Sequence, residues 1–182
     1  MLSGARLKEV CKELDVSIEH LAGYVARGGL SRRRAVGAIR NWTKGLYKPM
    51  PTNEDVERLA SGLGVDAGEI SQWRASWRYA PTAPRKARLV AQLIAGRPVQ
   101  DALDVLKFEH KRAARMFEKV LKSAVANADE AEADVENLYV SESRVDGAGR
   151  RIGTKSWIAK DRGRAHPIRK EASHLHVAVA EE

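Results

Sequence analysis

One stretch of this chain cannot fold on itself, and it constrains everything around it. Residues 144–170 carry nine bases, Arg144, Arg150, Arg151, Lys155, Lys160, Arg162, Arg164, Arg169 and Lys170, and few apolar side chains. Asp146, Asp161 and Glu171 are the only acids in or beside it. Strand-like sequence lies on both sides. It begins at about Leu138 on one side; on the other, Leu175, Val177 and Val179 alternate with His174, His176 and Ala178. Two strands joined by a polar, basic, glycine-containing run predict a long β arm. At about 3.3 Å per residue, the run from Val145 to Ser156 reaches roughly 35 Å. A hairpin without a core is marginal in water, so such an arm takes its order from what it binds. Its cations favour a phosphate-rich partner over the alternative, a solvated and disordered loop. Arginine suits phosphate forks and base stacking, and Gly147, Gly149, Gly153 and Gly163 permit close backbone approach.

Composition bounds the rest. The chain has 182 residues, 43% of them hydrophobic, with 32 Lys plus Arg against 24 Asp plus Glu and a net charge of +8. That length suits one ordinary domain or two small ones, and the apolar share excludes a wholly disordered chain. No apolar run approaches the roughly 20 residues that span a bilayer, so no membrane partner is expected. Residues 1–19 mix bases with Glu9, Glu13 and Asp15, unlike a signal or transit peptide. Cys11 is the only cysteine, which excludes an internal disulfide and a Cys-rich zinc site. A soluble intracellular protein is expected.

Two prolines between Tyr79 and Pro84 mark a boundary, giving 1–78 and 79–182. Before it, five short helices predict a compact all-α module. Leu7, Val10, Cys11 and Leu14 have helical spacing; Ser17 caps a segment with Ile18, Leu21 and Val25; Gly28-Gly29 breaks the chain. Val36, Ile39 and Trp42 line a third helix. Thr52 with Asp55 resembles a capping box for a fourth, and Val65-Asp66 leads into a fifth through Ile70. After the boundary, Thr82 caps a helix with Ala87, Val90, Leu93 and Ile94 on one face. Val99, Ala102, Leu103 and Leu106 form a second stripe, and Ala113, Ala114, Phe117, Val120, Leu121, Ala124 and Val125 a third, longer one. The last helix presents Lys111, Arg112, Arg115, Lys119 and Lys122 on its other face, either an RNA contact or an ordinary solvated face.

From about residue 79 to 182 the chain resembles the large-subunit ribosomal protein twenty-two family. The text that carries the likeness is Pro84-Arg85-Lys86-Ala87-Arg88-Leu89-Val90, Ala102-Leu103-Asp104-Val105-Leu106 and Leu121-Lys122-Ser123-Ala124-Val125-Ala126-Asn127-Ala128. The closing run from Lys160, with Arg162-Gly163-Arg164 and then His174-Leu175, belongs to it too. The resemblance implies an α+β fold, three helices packed on a small antiparallel sheet, with an extended β-hairpin arm at about 144–170. It implies that the arm threads large-subunit rRNA and lines the nascent-peptide exit tunnel of a cytoplasmic ribosome. Large-subunit rRNA, neighbouring large-subunit ribosomal proteins and the nascent polypeptide are the implied partners. Arg85, Lys86 and Arg88 would anchor the first helix to RNA, joined by Lys111 and Arg115, the nine arm bases and Gly163. The tunnel-facing tip would comprise Arg150, Arg151, Ile152, Gly153, Thr154, Lys155, Ser156 and Trp157. The segment from Gly149 to Lys155 is longer than the usual tip, Trp157 replaces a smaller residue, and Asp161 is acidic where the family generally has a small one. The family usually lacks the first 78 residues.

That extension resembles the Cro-like helix-turn-helix proteins instead. The likeness rests on Leu14-Asp15-Val16-Ser17, Ile39-Arg40-Asn41-Trp42-Thr43-Lys44-Gly45, Lys48-Pro49 and Leu59-Ala60 through Gly64-Val65, with 24–34 inserted between the paired helices. Arg40, Asn41 and Lys44 would enter a groove, and Arg32, Arg33 and Arg34 would either touch phosphates or simply solvate a helix start. The competing function is therefore a DNA-binding regulator with an accessory RNA-binding domain.

The remaining motifs do not assemble sharper chemistry. His174 and His176 share a strand face but lack a third ligand for zinc. Asp129, Glu130, Glu132, Asp134 and Glu136 lack calcium-loop spacing. Gly153-Thr154-Lys155-Ser156 has an extra Thr and no strand-to-helix context for a phosphate-binding loop. Cys11 belongs to the core stripe. No nucleophile with a base and its orienter is assembled, so no catalytic residue, metal or cofactor is expected and the chain is read as a non-enzyme.

Overall fold

A computed structural model describes residues 1–26 and 30–181. The break expected at Gly28-Gly29 lies outside the described residues. The chain divides into two compact units, Met1–Trp73 with Ala180–Glu182, and Arg74–Val179.

The first unit holds α1 (Gly4–Glu13), α2 (Ile18–Val25), α3 (Arg32–Trp42) and α4 (Asn53–Leu63). Each apolar stripe meets the others in one core of Leu7, Val10, Leu21, Val25, Ile39, Trp42, Leu59 and Ile70, all at most 2% exposed. Side chains cap the starts of α1, α2 and α4, those at Ser17 and Thr52 as the sequence directs. Ser3 and Ser17 accept from Arg6 and His20 amides, and Thr52 with Asp55 closes a reciprocal capping box. Gly64 ends α4 with a left-handed φ of 71°. At Gly4 the start of α1 lies directly against the Trp42 carbonyl, leaving no room for a side chain. Cys11 packs against this core, and burial pushes its thiol pKa up, keeping it protonated.

The fifth helix does not form. Residues 67–70 make a turn, in which the Asp66 carboxylate accepts from the Gly68 amide. The backbone that follows is taken by the chain start: the Ser3 amide donates to the Ile70 carbonyl at 2.7 Å and the Gln72 amide to the Met1 carbonyl at 2.6 Å. Leu2 and Ser71 form an antiparallel bridge. These bonds replace the i→i−4 ladder that a helix through Ile70 requires.

The second unit is α+β. Its elements are β1 (Trp73–Ala80), α5 (Pro84–Ile94), α6 (Val99–Phe108), α7 (Arg112–Asp129), a 3-10 turn (Val135–Asn137), β2 (Leu138–Arg150), β3 (Trp157–Lys160), β4 (Arg164–Pro167) and β5 (Glu171–Glu181). A small antiparallel sheet runs β1-β5-β2, and β3 pairs with β4 in a separate hairpin. The helices bury Val90, Ile94, Ala102, Leu106, Phe117, Leu121 and Ala124, while the sheet buries Leu138, Val140, Leu175, Val177 and Val179. β1 is a strand the helical reading of 1–78 passed over. Thr82 does not cap α5 either: Ala83 occupies that position and Pro84 is the first helical residue, where its missing N–H costs nothing. The Thr82 carbonyl instead accepts from the Ser173 hydroxyl at 3.1 Å. Among the described residues no helix is long and apolar enough to cross a membrane.

Candidate nucleic-acid interface

β2 and β5 leave the sheet and become the two legs of the arm. The legs are tied by the Arg151 amide donating to the Lys170 carbonyl at 2.8 Å and the Ile168 amide donating to the Ser156 carbonyl at 2.7 Å. Beyond them Trp157 pairs with Pro167, Ile158 with His166, Ala159 with Ala165 and Lys160 with Arg164. The chain reverses at 161–163, where Asp161, Arg162 and Gly163 take successive φ values of 46°, 60° and 85°. Two consecutive non-glycine residues in the left-handed region are uncommon. His166 Nε2 lies 3.0 Å from the Asp161 carboxylate and braces the reversal. The expected tip residues, 150–157, therefore sit at a bend on the outgoing leg, before the outer hairpin. The apolar side chains there face solvent: Ile152 is 91% exposed and Trp157 53%.

The nine arm bases divide by what holds them. Arg150 braces the arm, donating across it to the Ile168 carbonyl at 3.3 Å and to Ser156 at 3.5 Å. Arg144 is occupied by Asp146 at 3.3 Å and Glu142 at 3.8 Å. The other seven, Arg151, Lys155, Lys160, Arg162, Arg164, Arg169 and Lys170, are exposed and have no ion pair among the described residues. Where the arm joins the body, a cleft is lined by Pro84, Gly147, Gly149, Arg150, Arg169, Glu171 and Ala172. Pro84 opens α5, whose next residues include the exposed Arg85, Lys86 and Arg88, so the structure carries cations from the helix start to the arm root. Lys111 is tied to Glu109 at 2.9 Å, whereas Arg115 is exposed.

A second cleft went unseen in the sequence. It is lined by Arg74, Ser76, Arg78, Glu142, Arg144 and His176, so β1 contributes two arginines that only its strand periodicity, Trp73-Arg74-Ala75-Ser76-Trp77-Arg78, reveals. His176 lies 3.6 Å from Asp146, a contact that favours its charged form. Its pKa is nevertheless lowered from 6.5, first by burial and then by the Arg144 charge, which also occupies Asp146. The fold thus prefers neutral His176, and the unfolded chain binds the proton more readily. Stability present above about pH 6.5 is lost as the pH falls below it. Thermal melts between pH 7.5 and 5.5 should show a falling Tm, and His176→Gln should make that fall shallower. An unchanged slope would remove His176 from the account.

In the first unit Arg40 pairs with Glu19 at 3.0 Å, Arg32 donates to the Glu19 carbonyl at 3.5 Å, and Asn41 donates to the Lys48 carbonyl at 2.8 Å. Arg33, Arg34 and Lys44 are exposed. Among the described residues no group of three His, Cys, Asp or Glu side chains is placed to hold a metal ion.

A small α+β body carrying a basic arm with no core of its own defines a class of protein whose extension is built for a polyanion. Residues 75–180 match the family model described as Ribosomal protein L22p/L17e, and the chain belongs to that family. It is 43% identical over 116 residues to the large ribosomal subunit protein uL22 of Caldicellulosiruptor saccharolyticus, covering 62% of this chain and 91% of the relative. It is 48% identical over 117 residues to that of Lactobacillus delbrueckii subsp. bulgaricus, covering 63% and 97%. With uL22 of Thermotoga sp. (strain RQ2) the identity is 48% over 103 residues, 56% of this chain and 63% of the relative. The family match begins at residue 75, so it lends no support to the helix-turn-helix likeness of the first unit.

Proposed function

We propose that this protein is a structural constituent of the large subunit of a cytoplasmic ribosome, where it binds and organises large-subunit rRNA. The observation that carries the reading is the arm: seven exposed cations, with no ion pair among the described residues, on a two-legged extension inside the family-matched region. Opposed phosphates repel, and cations placed between them let RNA segments converge. Arg85, Lys86 and Arg88 would hold the body to the same RNA, with Arg115 contributing from α7. The outer arm, from the bend at 150–157 to the reversal at 161–163, would line the exit tunnel and meet the nascent polypeptide. Ile152 and Trp157 are the side chains it would offer there, to a stacked base or to the passing chain. Neighbouring large-subunit proteins would cover part of the body.

The regulator reading requires Arg40 and Asn41 to face bases, and both are engaged within the first unit. Sucrose-gradient fractionation of native lysate across a salt series separates the two readings. Stoichiometric co-sedimentation with large subunits through high salt is the expected result. A chain that runs free, or washes off at moderate salt, would overturn the ribosomal reading.

A further inference from the structure

Three local costs accumulate on α3. Arg32, Arg33 and Arg34 fill its first turn, which contains no acid, setting cations against the positive end of the helix dipole. Ser31 precedes the helix, yet its hydroxyl accepts no capping bond. Gly37 lies in the helix interior on the exposed side, and a Cβ built there would meet nothing within 4 Å. Neither space nor a left-handed φ requires glycine, which weakens a helix interior. Local rules are broken together where function compensates for them.

The helical repeat puts these features on one stripe. Arg33, Gly37, Arg40 and, in the turn that follows, Lys44 lie opposite the buried Ala35, Ala38, Ile39 and Trp42, with Arg34 flanking. The stripe is about 16 Å long. Arg40 is occupied by Glu19, and Asn41 fastens the next loop through the Lys48 carbonyl. Arg33, Arg34, Lys44 and Lys48 remain exposed, without an ion pair among the described residues.

We propose that this face is a second RNA-docking surface, seating the phosphate backbone of a double-stranded RNA segment, with Gly37 letting that backbone come against the helix. The inference rests on the ribosomal reading, which supplies RNA as the polyanion. The free groups provide charge, while the side chains a base reader would present are spent internally. A-form duplexes are recognised mainly through phosphates, 2′-hydroxyls and shape, which suits such a face.

The test uses the full-length chain and an RNA hairpin of about 16 base pairs, titrated across a salt series. Combined Arg33→Glu, Arg34→Glu and Lys44→Glu substitutions should weaken binding about tenfold or more and flatten the log K against log salt slope by roughly 2–3. Because acids suit the first turn, the same variant should melt no lower than the parent chain. Gly37→Ala should raise the Tm and still weaken binding. A variant with Lys160→Ser, Arg162→Ser and Arg164→Ser runs alongside. If the arm variant weakens binding and the α3 variants do not, this inference falls and the ribosomal reading stands. If neither weakens it, both fall. Tighter, α3-dependent binding to duplex DNA of equal length would overturn RNA as the occupant.

Discussion

Replacing Arg151, Lys155, Lys160, Arg162, Arg164, Arg169 and Lys170 together by serine should abolish most of the salt-sensitive affinity of the full-length chain for large-subunit rRNA. Each phosphate contact contributes about 0.7–0.9 to the log–log salt slope. Those seven contacts would add about 10³–10⁴-fold to the affinity that the parent chain loses between roughly 50 and 200 mM salt, and the variant should keep only the shallower salt dependence of the remaining cations. The fold should survive, because none of the seven has an ion pair among the described residues and all are exposed. Removing their mutual repulsion should leave the Tm unchanged or slightly higher. Filter binding across a potassium chloride series, with circular dichroism as the folding control, provides the measurement. Equal slopes for the two proteins would exclude the arm as the principal RNA contact. Arg150 is left out of the set because it braces the two legs, so its loss would confound contact with geometry.

The second large effect concerns the first unit. Trp42→Ala removes the largest fully buried side chain there and a hydrogen bond from its indole N–H to the Pro49 carbonyl at 2.6 Å. Truncating a buried aromatic to alanine costs about 3–5 kcal/mol. A unit of this size has a total stability of about 4–11 kcal/mol, so the substitution takes a large share of it. Hydrogen exchange followed by mass spectrometry should show protection lost across 1–73 and retained across 74–179. Trp42→Phe, which keeps a ring but leaves the Pro49 carbonyl without its donor, should cost less, about 1–3 kcal/mol. Unchanged exchange in Trp42→Ala would mean that the buried stripe of α3 does not organise this unit.

The two units differ in how much of them can be read from the chain. The helices of the second unit and strands β2 and β5 follow from apolar spacing, because each buries one face and the period of that face is written in the residues. β1 also carries a period, Trp73-Arg74-Ala75-Ser76-Trp77-Arg78, but it is short and follows a run of helical segments that sets an all-α expectation for 1–78. The fifth helix failed for a different reason. The segment 65–70 starts as a helix would, but the chain start offers Ile70 and the nearby Gln72 better backbone partners from about 70 residues away. No local pattern reports a bond of that separation. The candidate interface was legible as a charge run, since nine bases in 144–170 need no fold to be counted. Its division of labour was not. Arg150 as a brace, Arg144 as an ion-pair partner and the reversal at 161–163 all depend on which residues the two legs bring opposite each other.

The sequence by itself therefore determined the helix and strand faces of the body, the caps at Ser17 and Thr52, and the family to which 75–180 belong. It also determined that the region between the last two long strands carries charge without a core. Those properties are local: they depend on period, on side-chain chemistry at a helix start and on composition. Tertiary structure alone decided which cations remain available. Whether an arginine meets a phosphate or a carboxylate depends on what the fold places within about 4 Å of it. Glu19 meets Arg40 from 21 residues away, and the Ile168 carbonyl meets Arg150 from 18 residues away. A guanidinium spent on such a partner adds rigidity, and one left exposed adds affinity for a polyanion. That allocation exists only once the chain has folded.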